Sequence, residues 1–203
     1  MKNLKSILTA IALIQTVTIN GFYLPGLAPI NYLEGDKVDL QVNSIVPAVT
    51  DKNKVKVIIP YDYYHKNFYF CKPKTGIPEQ EHESIGSVLL GDRIYKSGFE
   101  LFMLKDEKCK LLCQASVPKS GAKFINDRIK NGYKMSWLVD GLEAAMTAVV
   151  GGKKRVVDLG FPIGSVSEAK QVQLHNHYDI EIDYHETNKK SYRVVGVSVY
   201  PSR

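Results

Sequence analysis

Apolar and polar positions alternate along much of this chain. Val38, Leu40 and Val42 are separated by Asp39 and Gln41, the period of a strand with one face in a core and the other in water. Val55, Val57 and Ile59 repeat the pattern until Pro60, which has no amide to give to a sheet ladder. Phe99, Leu101 and Met103 predict another strand, and Tyr133, Met135, Trp137 and Val139 a further one. Tyr178, Ile180, Ile182 and Tyr184 alternate with Asp179, Glu181 and Asp183, and Val195, Val197 and Val199 close the series. Asp140-Gly141 and Gly151-Gly152 read as tight hairpin turns, because both central positions of such a turn need positive φ. A helix is predicted where Phe124, Ile125 and Ile129 share a face, with Ser120 as its N-cap and Asn131-Gly132 as its stop. A second short helix is expected around residues 84–90, after a loop over 72–84 marked by two prolines and a glycine. About eight short strands between turns predict a mainly β fold, an antiparallel β-sandwich with one or two short helices, built as one domain.

The N-terminus breaks this rhythm. Lys2 and Lys5 precede a run from 7 to 19 that is apolar apart from Thr9, Gln15, Thr16 and Thr18, and small Gly21 follows. A basic start, an apolar run shorter than a membrane span and a small residue describe a secretory signal peptide, with cleavage expected between Gly21 and Phe22. Residues 1–21 are therefore read as the signal and 22–203 as the folded domain. Removing the signal takes the net charge from +6 to +4 over 182 residues. The remaining cations at Lys52, Lys54, Lys56, Lys153, Lys154, Arg155, Lys189 and Lys190 are scattered over strands and turns, with no interleaved aromatics. No nucleic-acid partner is expected from such a surface.

Export changes the reading of Cys71, Cys109 and Cys113. In an oxidising compartment one bridge forms within the chain and one thiol is left over, and the sequence leaves open which. A bridge from Cys71 to either of the other two closes a loop of some forty residues. One Cys-x3-Cys pair falls short of a four-ligand zinc site.

Candidate chemistry gathers in one stretch. His175, His177, Asp179, Glu181, Asp183 and His185 occupy every second position and so share a strand face. Neighbours there sit about 6.5–7 Å apart, close enough for His175, His177 or Asp179 to bind a metal if a facing strand adds a ligand. Paired carboxylates would also suit hydrolysis. The plainer reading is the wet face of an outer strand whose opposite face, Tyr178 to Tyr184, is core. No phosphate loop, nucleophile elbow or H-E-x-x-H motif is present, and neither a cofactor nor a small-molecule substrate is indicated.

Several blocks of sequence carry a resemblance. Phe22-Tyr23-Leu24-Pro25-Gly26 is followed in order by Pro60-Tyr61-Asp62-Tyr63-Tyr64, Phe70-Cys71, Leu89-Leu90-Gly91-Asp92-Arg93-Ile94 and Cys109-Lys110-Leu111-Leu112-Cys113. Tyr133, Trp137 and Asp140 come next, then Gly160-Phe161-Pro162-Ile163-Gly164, Asn176-His177, Tyr184-His185 and Arg193-Val194-Val195-Gly196. Together they resemble the N-terminal lumenal domain of the nonaspanins, the transmembrane nine superfamily. That resemblance implies a β-sandwich domain ahead of nine membrane spans, in proteins of Golgi and endosomal membranes implicated in sorting other membrane proteins and in adhesion. It implies no catalytic residue, and as partners it implies client membrane proteins and the membrane-spanning region. Gly141-Leu142-Glu143 departs from the Asn-Leu-Pro run common in the family. The sequence stops at Pro201-Ser202-Arg203, which reads as either a fragment or a truncated, soluble paralogue. For the latter, a secreted binding module or a metal-dependent hydrolase using the His/Asp/Glu face is the alternative function. Residues 61–70, rich in Tyr and Phe, are expected mainly in the core, with docking against a membrane part or a client as the other use.

Overall fold

A computed structural model describes residues 30–48, 59–81, 89, 91–187 and 190–203. The signal peptide and its Gly21–Phe22 junction, most of the strand expected around Val55, and the helix expected over 84–90 (save Leu89) lie outside the described residues. The elements run β1 (Lys37–Val38), β2 (Leu40–Pro47), β3 (Tyr95–Lys96), β4 (Leu101–Phe102), α1 (Lys119–Lys130), β5 (Tyr133–Val139) and β6 (Leu142–Glu143). They continue with β7 (Ala145–Val150), β8 (Lys153–Leu159), β9 (Phe161–Pro162), β10 (Gly164–Val166), β11 (Val172–Leu174), β12 (His177–Glu186) and β13 (Tyr192–Ser202). The fold is mainly β, as the alternation predicts.

Two larger sheets share one core. The first is ordered β3-β2-β5-β6 with β9 also paired to β5, and the second β12-β13-β7-β8. β5 buries every second residue, so Tyr133, Met135, Trp137 and Val139 form one continuous inner stripe. Trp137 meets Tyr178 of the second sheet at 5.0 Å between ring centroids and Phe161 at 4.8 Å, edge to face. All the pairings within these sheets are antiparallel except one. β13 joins β7 in parallel at Ser198↔Ala145. Both predicted hairpin turns are present, with φ of 51° and 75° at Asp140 and Gly141 and of 61° and 75° at Gly151 and Gly152.

The helix starts two residues earlier than a Ser120 cap requires. Pro118 holds the N-cap position, extended and without a side-chain cap bond, and Ser120 lies inside the first turn. Asn131 closes the helix, its backbone amide donating to the Asp127 carbonyl, and Gly132 follows at φ 69° with its amide on the Ile129 carbonyl. Phe99, Leu101 and Met103 pack inward as expected, yet only Leu101–Phe102 forms a strand, paired with β1.

Three bulges interrupt the simple alternation. In β2 the register jumps between Val42 and Ile45, so Asn43 and Ser44 are both buried instead of one facing water. In β13 a shift opposite Asp183/Tyr184 turns Val194 inward and leaves Val195 exposed, reversing the expected order there. In β8 a shift opposite Met146/Thr147 inserts Val157 as the extra residue.

The Tyr and Phe residues from 61 to 70 are core. Tyr63, Tyr64 and Phe68 are buried, and Tyr61, Tyr69 and Phe70 are partly buried against them. Tyr61, Phe68 and Tyr133 make a ring cluster with Phe124 of α1, and the Arg128 guanidinium lies 4.6 Å over Phe124 and 5.2 Å over Tyr61. The aromatic side chains of this segment are buried or half-buried, none of them fully exposed.

Candidate functional site: the β12 face and the cleft beside it

β12 carries the His/Asp/Glu stripe on its outer face, with His177, Asp179, Glu181, Asp183 and His185 all exposed. His177 Nε2 lies 3.2 Å from Asp179 Oδ1. His175 precedes the strand and is drawn away, its Nδ1 3.1 Å from the Pro162 carbonyl oxygen and its amide donating to the Ile163 carbonyl. Glu181 and Asp183 face a lysine. Lys154, reaching across from β8, donates to Asp183 at 2.9 Å and Glu181 at 3.3 Å. Burial alone pulls the lysine pKa down, but the two carboxylates outweigh it and leave it above its ordinary value. Among the described residues, no three His, Cys, Asp or Glu side chains converge as a metal site would require.

The inner face of β12 is only partly covered. Ile180 and Ile182 pack against the core, while Tyr184, expected inside, is half exposed. Along this face runs an open cleft of about 1550 Å³, walled on the other side by residues 99–115. Its floor is apolar (Tyr178, Ile180, Ile182, Phe70) and its rim polar (Lys105, Glu107, Lys110). Burial pushes the Tyr178 and Tyr63 phenols well above their ordinary pKa, so both stay neutral hydroxyls. The free Cys109 thiol and the His175 and His177 rings also line this cleft.

The far wall is fixed covalently. Cys71 bonds Cys113, with Cα atoms 5.7 Å apart and a sequence separation of 42, and Cys109 is the exposed free thiol. This resolves the choice that spacing left open. The bridge ties the end of the aromatic segment to the far end of the cleft wall.

A second constellation escaped the strand pattern. Buried Asn43 accepts from the amides of Ser44 (2.6 Å) and Arg93 (2.8 Å) and donates to Asp92 (2.8 Å). Arg93 in turn donates to Asp62 at 2.9 Å. Two sequence blocks far apart in the chain, around Asp62 and around Asp92-Arg93, are thereby pinned to one bulge of β2. A lone Asn in a run of strand residues was the only signal, and it matches a wet-face residue equally well. Gly160-Phe161-Pro162-Ile163-Gly164 is similarly structural: Phe161 and Ile163 are fully buried, and a Cβ on Gly160 would fall 2.6 Å from the Met135 carbonyl oxygen.

The residues that carry the sequence blocks thus specify this fold, and comparison with known proteins agrees. Residues 60–203 match the family model of endomembrane protein 70. The chain belongs to that family. It is 42% identical to a transmembrane 9 superfamily protein of Schizosaccharomyces pombe, covering 91% of this chain and 29% of the relative. It is 38% identical to transmembrane 9 superfamily member 1 of Saccharomyces cerevisiae, over 91% and 34% respectively, and 30% identical to member 10 of Arabidopsis thaliana, over 91% and 29%. The chain spans about a third of the length of these relatives. No solved structure matches it.

Proposed function

We propose that this chain is the lumenal domain of an endomembrane protein that works by contact in the sorting of other membrane proteins, without catalysis of its own. The observation that carries the reading is the family match over residues 60–203, with relatives named as transmembrane 9 superfamily members across nearly the whole chain. Two features support the lumenal side. The N-terminus has the order of a secretory signal, and the Cys71–Cys113 bridge suits an oxidising compartment. The apolar-floored cleft beside β12 suits recognition of a segment of a client membrane protein.

Protease protection tests sidedness. An epitope placed after Lys190, in the β12–β13 turn, is expected to survive protease on intact microsomes and to disappear once detergent is added. Digestion without detergent refutes the lumenal reading. Surface biotinylation tests the sorting role: loss of the protein is expected to lower the surface level of a subset of multi-span membrane proteins. An unchanged surface proteome refutes it.

A further inference from the structure

Beyond Thr147 the β7–β8 hairpin has no buried residue until Gly160. Every residue from 148 to 159 is exposed. Val149 shows 76% of its surface, Val156 and Val157 63% each, and Leu159 56%. A lone two-stranded hairpin has little stability of its own in water, and clustered exposed aliphatics mark a contact surface. Around the turn its charge has one sign, the hairpin's one acid, Asp158, lying at the far end of β8. Lys153, Lys154 and Arg155 follow the turn, and no acidic residue occurs between Glu143 and Asp158. Lys154 turns toward Glu181 and Asp183, while Lys153 and Arg155 stand exposed at the tip.

Aliphatic side chains edged by cations match a phospholipid surface, where alkyl groups enter the acyl boundary and cations bond the phosphates. We propose that the β7–β8 hairpin is a bilayer-interface anchor that holds the domain against phospholipid headgroups. The inference rests on the membrane-protein reading above and goes beyond it by naming the hairpin and its lipid partner. Pairing with a second copy along the β8 edge is disfavoured by the adjacent lysines and by the bulge at Val157, both of which blunt an edge strand.

Vesicle flotation of the exported chain tests this, using phosphatidylcholine with and without phosphatidylglycerol. The protein is expected to float with vesicles, more with the anionic lipid and less as salt rises. The double variant Val149→Ser/Val157→Ser is expected to lower partitioning by about tenfold. Lys153→Gln/Arg155→Gln is expected to abolish the preference for phosphatidylglycerol. Both are expected to melt with the parent, since the altered side chains are exposed. Absence of flotation, or flotation equal in the serine variant, overturns the proposal. A dimer on gel filtration that the serine variant dissolves also overturns it, by assigning the surface to a second copy. A domain protected from protease that does not float removes the anchor and leaves the lumenal reading standing.

Discussion

Replacing both bridged cysteines, as Cys71→Ser/Cys113→Ser, probes the cleft wall. Cys71 is only partly buried and Cys113 is exposed, so the serines create no core cavity and the cost falls on the unfolded chain. With a separation of 42 residues, loop-closure entropy puts the loss at about 4 kcal/mol. For a chain of this length that corresponds to a fall in Tm of roughly 8–16 °C. Circular dichroism melts of parent and variant measure it. Reductant is expected to move the parent to the variant's Tm and leave the variant where it is. Cys109→Ser should melt with the parent, because its thiol is exposed and unbridged. Thiol labelling should find one reactive cysteine in the native parent. A double variant within about 1 kcal/mol of a verified bridged parent would refute the entropic argument. Labelling at Cys113 instead of Cys109 would refute the pairing.

Other expectations follow from single contacts. Gly160→Ala places a methyl against the Met135 carbonyl at a φ of 66°, and is expected to cost roughly 2–4 kcal/mol by urea denaturation. Arg128→Ala should cost about 1–2 kcal/mol by removing the cation from the Phe124 and Tyr61 rings. Arg128→Lys should recover only part of it, since the planar group stacks better. Asp140 has its pKa raised, first by burial and then by Asp39, against the lowering effect of the Tyr32 hydroxyl. Its folded form therefore holds a proton more tightly than its unfolded form, and stability declines as pH rises from the ordinary carboxylate pKa through the raised one. Asp140→Asn keeps an acceptor for Tyr32 and tolerates φ of 51°, so it should melt above the parent at neutral pH and converge with it in acid.

Much of the fold was legible in the chain because half-buried strands write themselves in period two. β5 shows it most plainly, and the two positive-φ turns were readable because few residue pairs adopt them. Ser120 misled because a hydroxyl near the start of an amphipathic run is only one way to begin a helix, and Pro118 supplies another. Tyr184 belongs to the alternating face of β12, but that face runs on past the core, so periodicity could not place it. The His/Asp/Glu stripe was visible, while its cation was not. Lys154 is remote in sequence and meets the acids because β8 lies in the same sheet as β12. The choice among three cysteines likewise depends on which chain ends meet in space.

The three bulges explain what alternation missed and connect the misses to use. A bulge places two residues where a strand would place one, so it can bury a polar group or expose an apolar one. In β2 it draws Asn43 inside, and the buried amide becomes the point to which Asp92, Arg93 and through it Asp62 are tied. In β8 it adds Val157 to Val156 on a strand with no buried residue, so the hairpin carries more aliphatic surface than its pairing with β7 can cover. Burying Asn43 in β2 is compensated, because its side-chain amide finds partners as both donor and acceptor. Exposing aliphatics on β8 stabilises nothing within the domain itself. A surface that costs solvation and returns no internal packing is explained by what it touches outside, and its cationic edge specifies a phosphate-bearing surface over an apolar protein groove.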